Sequence, residues 1–572
     1  MHEAQFQLHV HDPTVDEIAS TPLVHGSLDF RDRTATFDEL EQGVFDVVVI
    51  GAGITGAGVA RDAALRGLRV ALVESRDIAS GTSSRSSKMI HGGLRYLAQG
   101  DVGLVREAAT ERQVLRRVAP HLTRISPFTM PGSRRGIATM RAGLTAFERL
   151  GKVPRAERHR TLDATELLER EPTIRPDTYP TGVVYPEFLT NDARLTLANV
   201  RSAAHSGAVV ATYAPVERIL VDSHGRASGV EVRGALPGED LGATVRARVV
   251  VNAAGPWVDA VRALENAGGR QRLTLTKGIH VVVPHERLPV RDTVITLGSD
   301  KRPLFAVHAG AVTYIGTTDT FYADADEWPR IDGEDVEYLL TAMAATFGDH
   351  APEPSDIVSM WAGVRPLIAP EDGLDGDTAP SELSRRDEVW TGPAGVVSVA
   401  GGKLTAYRAM AERIVDGLVA ELGTGSTRCR TADVPLVGGD VDVEALVADL
   451  GAQLGGRARR LVELWGTEAA VIAADAAQAD TSNAGDDDPD GPLDAEVRHA
   501  VAHEGALRLT DVWVRRTARA WFTLDPVGEG IQIAATTMGG MLGWSIERTA
   551  AEIAEVEQIH HDSLSCLAMT PS

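Results

Sequence analysis

Three glycines and one acid carry the first chemistry legible in this chain. Gly51, Gly53 and Gly56 stand at G-x-G-x-x-G spacing in IGAGITGAG, and Glu74 closes the VALVE run that follows. The first glycine permits a tight turn, the second lets a pyrophosphate approach the backbone, and the third lets a helix pack close on a strand. An acid about twenty residues further on accepts hydrogen bonds from a ribose hydroxyl, which favours the adenosine ribose of FAD or NAD over that of NADP. Two later corners repeat the pattern of buried strand, small residues and helix: RVVVNAAGPWVDAV with Ala254 and Gly255, and VVSVAGGKLT with Gly401, Gly402 and Lys403. A helix N-terminus offers free N–H groups and a positive dipole end to an anion. Before both corners lies Asp77–Leu97, DIASGTSSRSSKMIHGGLRYL. Its small hydroxyl residues and glycines suit a loop lining a polar ligand, with Met89, Ile90, Leu94, Tyr96 and Leu97 as apolar anchors.

These groups need elements to hold them. Asp46–Ile50 is a β-branched apolar run suited to a strand buried on both faces. A helix from about Ile54 to Arg66 and a strand Arg69–Val73 complete the nucleotide unit. Helices are expected over 101–118 with Asp101 as N-cap, over 191–206, over 332–347 and from about Leu404 to Leu422. Residues 209–251 alternate short β runs with turns at Asp222–Gly225 and Pro237-Gly238. Leu273–Thr318 reads as an antiparallel sheet forming a separate layer, and Met360–Leu367 as a strand running into a loop. Past Pro435–Gly439 the composition shifts to Ala-rich helices, expected to form a separate α-helical domain. Residues 1 to about 43 are polar, without clear periodicity, and read as an extension.

Composition narrows the classes. The 572 residues allow two to four domains. A net charge of −23 argues against bulk nucleic-acid binding, so no nucleic-acid partner is expected. Two cysteines, Cys429 and Cys566, make neither a disulfide framework nor a cysteine-rich metal site. The amino terminus lacks a basic region followed by an apolar core, and no apolar run reaches the ~20 residues needed to span a bilayer. DDDPDGPLDAEV, Asp486–Val497, imitates a calcium loop, but its twelfth position is Val497 rather than a bidentate Glu, so no metal is expected.

Ser133–Arg160 is a basic island in an acidic chain. Arg134, Arg135, Arg141, Arg149, Lys152, Arg155, Arg158 and Arg160 face only Glu148 and Glu157. Ile137, Met140, Leu144, Phe147 and Leu150 can share one helix face. Such a helix either lies on an anionic membrane surface or packs on its own domain with its charges solvated.

The quoted motifs, with TKGIHVVVP, IGTTD, GVRPL and VAGGKLTAYRAMAE, resemble the FAD-dependent glycerol-3-phosphate dehydrogenases in content and order, from about Phe45 to Gly439. The resemblance implies an α/β fold. Its FAD-binding Rossmann-like domain (about 44–130, 190–270 and 355–425) is interleaved with an antiparallel-sheet substrate or cap domain (about 131–189 and 271–354). An α-helical C-terminal domain, 436–572, follows. It implies FAD, oxidation of sn-glycerol 3-phosphate to dihydroxyacetone phosphate, electron delivery to quinone, and a cytoplasmic enzyme peripherally attached to the inner face of the plasma membrane. A homodimer is kept open. The matching stretch in the family is a proposed membrane-docking element, which adds weight to the basic island.

By the same resemblance, Arg95, Arg365 and Arg385 bind the substrate phosphate, with a one-residue ambiguity in the doublet Arg385-Arg386. Arginine suits the task because its planar fork meets phosphate oxygens bidentately. His280 is the expected general base or hydroxyl orienter. Lys403 would donate to a substrate oxygen or to the flavin, and Tyr96 would contact a substrate hydroxyl. The flavin nucleotide would be lined by Gly51, Gly53, Ile54, Thr55, Gly56, Glu74, Ser75, Thr82, Ser86, Lys88, Met89, His91, Gly92, Gly93, Val216, Ala254, Gly255, Trp257, Gly402, Lys403, Leu404 and Thr405. The rivals are a soluble oxidase passing electrons to oxygen, an amino-acid or sarcosine-type oxidase, and a non-catalytic flavoprotein.

Overall fold

A computed structural model describes residues 24–91, 102–151, 153–266, 268–370, 380, 387–425, 427–478 and 492–569. The first sheet is built around the glycine motif. Strands Val397–Ala400, Gly242–Asn252, Val44–Ile50, Val70–Val73 and Val209–Ala211 lie side by side and parallel, in that order. Val47 to Ile50 are buried on both faces, which is why the run is continuously apolar rather than alternating. Helix Ile54–Leu65 covers one face, with helices Asp192–His205 and Tyr407–Leu422 against it. On the other face, helix Arg33–Gln42 buries Phe37 and Leu40, so part of the polar N-terminal extension is ordered structure.

The second sheet has ten strands. Its longest pairing is antiparallel, Leu273–Pro284 against Ser359–Ile368, in register from Leu273↔Ile368 to Val282↔Ser359. Three of its strands, Met89–Ile90, Arg124–Gly132 and Ser359–Ile368, fall in segments that the motif order would group with the nucleotide domain. Strand pairing is decided by partners far off in the chain, so the motif order could not place these three.

Helix Arg134–Leu150, capped by Ser133, corresponds to the basic island. Its apolar stripe is used inside the molecule. Ile137 and Leu144 pack on Val183, Phe147 packs on Val105 and Val153, and Met140 and Leu150 sit partly buried beside them. Arg134, Arg135, Arg141 and Arg149 remain exposed. Of the two readings of this helix, the packing favours the domain-bound one, and any outward contact falls to the arginines. Among the described residues, no helix is long and apolar enough to cross a membrane.

The helical C-terminal part runs from Val443–Leu454 to Ile546–Leu564. Val497 lies buried in helix Leu493–His503, while the first half of the calcium-like segment is outside the described residues. This part is distinct in composition and has an apolar cluster of its own around Leu461, Trp465 and Ile472, but it shares another with the second sheet. Trp513, Trp521 and Met538 share one apolar cluster with Phe128, Tyr314 and Trp361 of the second sheet.

Candidate functional site

At the end of the first strand, Gly51 turns the chain at φ +102°. A Cβ on Gly56 would fall on the carbonyl oxygen of Gly51, so only glycine lets the helix start there. Gly53 is different, because a Cβ there would meet only the Ser83 hydroxyl, at 3.3 Å. The space in front of Gly53 is open to a ligand. Ile54 N–H, first in the helix, donates to Ser83 Oγ at 2.9 Å. The helix pattern leaves the next N–H groups, those of Thr55 and Gly56, without intrahelical acceptors.

Glu74 is buried, and its carboxylate accepts from Ala52 N–H (2.7 Å), Arg76 N–H (2.9 Å) and the Ser75 hydroxyl (3.1 Å). Burial pushes this carboxyl up, against the three hydrogen bonds that favour its charged form. A carboxylate has about four lone-pair sites, so one remains for a ribose hydroxyl. The cradle at Gly53, the helix N-terminus and this acid together fit an adenine dinucleotide. Around them, Asn252 Oδ1 accepts from Ala254 N–H, and Gly255, at φ +56°, opens the turn containing Trp257. Trp257 packs on Gly81 and under the Arg76 guanidinium. Val216 begins a strand just beyond Ala214, whose N–H donates to the Glu74 carbonyl.

The hydroxyl-rich loop does not present all its groups to one ligand. Ser86 Oγ and Lys88 Nζ both bind the buried carboxylate of Asp192, at 2.7 Å each. The resemblance assigns both to the flavin lining; here their polar ends hold the loop to the first turn of helix Asp192–His205. Thr82 Oγ donates to Val364 O at 2.5 Å, and Met89 is buried in the strand that pairs with Leu189. His91 O accepts from Thr405 Oγ at 3.3 Å, which ties the loop to the third glycine corner. At that corner Gly402 takes φ +86°, and Lys403 and Leu404 lead into helix Tyr407–Leu422. Gly92, Gly93, Arg95, Tyr96 and Arg385 lie outside the described residues.

Two of the substrate candidates, His280 and Arg365, lie on one face of the long strand pair. Thr276, Gly278 and His280 stand opposite Arg365, Gly363 and Trp361, two residues apart along each strand. Glycines make the room. A Cβ on Gly278 would strike the Arg365 guanidinium, one on Gly316 would strike the His280 ring, and one on Gly363 would meet Arg85 at 2.7 Å.

His280 stacks on Trp361 with ring centroids 4.6 Å apart, and its Nε2 lies 2.9 Å from Ser87 Oγ. Burial, with the Arg365 and Lys88 charges adding to it, holds this imidazole well below the usual histidine range. It is therefore neutral at working pH, with a lone pair on one ring nitrogen. Its Nδ1 is buried without a hydrogen-bond partner among the described residues. Arg365 donates to Asp319 (3.0 Å), Thr317 Oγ (3.2 Å) and Thr318 O (3.1 Å). Its side chain keeps 22% exposure, so it is braced but reachable.

Several participants were not singled out from sequence. Ser83 and Ser87 stand four residues apart on one loop and touch the nucleotide helix and His280 respectively. Arg85 lies between them with its guanidinium 3.9 Å from the Trp328 ring centroid, and burial lowers it to about 10. The repeated hydroxyls of SSRSS were the available signal. Among the described residues, Glu468, His499 and Glu504 are close enough together to hold a metal ion. Arg201 and Arg194 bind those carboxylates and already supply the positive charge.

Comparisons with known proteins show the family. Residues 46–408 match the family model of FAD dependent oxidoreductases, and 429–549 match that of the C-terminal domain of alpha-glycerophosphate oxidase. The chain is 38% identical over 545 residues to the aerobic glycerol-3-phosphate dehydrogenase of Staphylococcus saprophyticus, covering 92% of this chain and 96% of that one. It is 37% identical to the Staphylococcus aureus enzyme of the same name over 537 residues, covering 91% and 95%. Among solved structures, the glycerol-3-phosphate dehydrogenase from Bacillus halodurans complexed with FAD superposes with a TM-score of 0.78 at 32% identity, over 95% of this chain and all of that one.

Proposed function

This chain belongs to the FAD-dependent glycerol-3-phosphate dehydrogenase family, and from that premise we propose that it oxidises sn-glycerol 3-phosphate to dihydroxyacetone phosphate and passes the electrons to a membrane quinone. The observation that carries the reading is the pairing of a neutral, buried His280 with a braced, reachable Arg365 on one strand face. That face is joined to the nucleotide helix through the loop bearing Ser83 and Ser87.

Bound FAD would supply the hydride acceptor. The chain must do the rest. Arg365 offers a guanidinium to the phosphate, and Asp319 fixes its orientation. His280 accepts the proton of the secondary hydroxyl, through Nε2 when Ser87 turns its own proton away or through Nδ1. Trp361 and Tyr314 keep water from the imidazole. Arg95, Tyr96, Arg385 and Lys403 complete the proposed substrate shell. The exposed arginines of helix Arg134–Leu150 support electrostatic attachment to an anionic leaflet, at roughly 1 kcal/mol per basic residue near the surface.

The test is an anaerobic absorbance titration of the FAD-loaded protein with glycerol 3-phosphate, with glycerol as control. Bleaching by the phosphate ester alone is expected. A flavin that stays oxidised with both would remove the substrate assignment, and stoichiometric peroxide in air without quinone would reassign the acceptor to oxygen.

A further inference from the structure

The segment Asp511–Phe522 of the C-terminal part reaches both halves of the site. It begins as a six-residue π-helical turn, Asp511–Arg516, a rare geometry that often accompanies function. Arg515 and Arg516 both bind the buried carboxylate of Asp77, three residues past Glu74, with Arg516 bidentate at 2.6 and 2.8 Å. Six residues after Arg516, Phe522 lies between two aromatic rings of the second sheet. Its centroid is 5.8 Å from Tyr314 and 5.9 Å from Trp361, the latter edge to face. Trp521 also touches Trp361, at 5.8 Å, and its carbonyl accepts from Ser359 Oγ.

These contacts close a ring that includes the histidine. Phe522 meets Tyr314, whose hydroxyl donates to Ser87 O at 3.1 Å. Ser87 Oγ meets His280 Nε2, His280 stacks on Trp361, and Trp361 returns to Phe522. Every member but one comes from the nucleotide loop or the second sheet. The exception, Phe522, comes from a part of the chain more than two hundred residues from His280.

We propose that Phe522, backed by Trp521, is a positioning residue for catalysis: it holds Trp361 and Tyr314 in place, fixes the plane of His280 and keeps water off it. The proposal rests on the reading of His280 as proton acceptor. Aromatic pairs of this geometry hold one another beyond simple area burial, and a ring that Trp361 cannot tilt away from stays dry. The charged groups facing His280 are Lys88, which is tied to Asp192, and Arg365. Tyr314 is the titratable neighbour on the third side. Arg519, on the short helix that carries Phe522, lies 3.7 Å from Glu496.

The experiment compares FAD-loaded wild type with Phe522→Leu and Phe522→Tyr in the full chain. In Phe522→Leu the limiting rate of anaerobic flavin reduction should fall about tenfold at unchanged FAD content and KM. The acid limb of its pH profile should move up, because a hydrated imidazole regains affinity for its proton. Diethylpyrocarbonate should modify His280 several-fold faster, read by peptide mass. Phe522→Tyr, which restores the ring, should return all three to wild type. An unmoved acid limb with equal His280 modification in wild type and Phe522→Leu would overturn the proposal. A wild type left oxidised by glycerol 3-phosphate would instead sink the substrate reading, and the modification rate would still decide whether Phe522 shields His280.

Discussion

At the nucleotide end of the site the backbone does the holding. Gly51, Gly53 and Gly56, a helix N-terminus and the N–H of Ala52 define the cradle, and Glu74 is the one side chain that must be acidic. On the strand-pair face, side chains do the holding. His280 and Arg365 rely on Trp361, Ser87, Tyr314, Asp319 and Phe522, drawn from four separate stretches of sequence. The two regions should therefore fail differently. A backbone cradle is lost all at once when one Cβ enters it, whereas a side-chain constellation loses its function in steps.

The largest contrast is expected within the cradle itself. Gly56→Val places atoms on Gly51 O, so the folded nucleotide unit should be lost and the protein should not accumulate in soluble form. Gly53→Val clashes with little in the protein, so it should fold with a near-wild-type circular dichroism spectrum yet retain no FAD. A yellow Gly53→Val protein would break the distinction.

Next comes Arg365→Ala. It removes the phosphate ligand but leaves the cradle alone, so KM for glycerol 3-phosphate should rise about 100-fold, or about 2.7 kcal/mol, at unchanged FAD content. Parallel loss of FAD would mean that Arg365 props the fold and that the two regions are not separable.

The remaining effect is on stability. Burial lowers His121 to about 3, so it should protonate in the unfolded chain before it does in the folded one. Its contribution is present above the unfolded value near 6.5 and is lost as pH falls towards 3, at about 1.4 kcal/mol per pH unit. Glu171, pushed up to about 7 by burial, opposes this, because stability is gained as pH falls below 7 towards its unfolded value near 4.5. Denaturant unfolding between pH 6.5 and 4.5 in a Glu171→Gln background should therefore steepen, and adding His121→Leu should flatten it again. An unchanged slope in the double variant would remove His121 from this account.

How much was legible follows the same division. Strand, glycine turn and helix are local, so Ile54–Leu65 and its flanking strands stand within two residues of their expected bounds. Helix Gly333–Phe347 and the KGIH and GVRPL strands were visible as elements or motifs, but the long pairing between those two strands was not. The amphipathic pattern of 134–150 was visible too, but periodicity cannot say what an apolar stripe packs against, and here it packs on Val183, Val105 and Val153. Ser86 and Lys88 illustrate the converse. A hydroxyl and an amine in a ligand-like loop look free until Asp192, a hundred residues away, neutralises one and accepts from both.

The sequence by itself determined the nucleotide cradle, because glycine spacing and strand hydrophobicity act within a few dozen residues, and it determined the family through motifs of the same local kind. Only the tertiary structure decided which face His280 and Arg365 share, which glycines make room for them, and that a helical C-terminal segment closes the ring of contacts that includes the histidine. Those outcomes depend on strand register and on contacts between residues far apart in the chain, and neither leaves a period or a spacing to read.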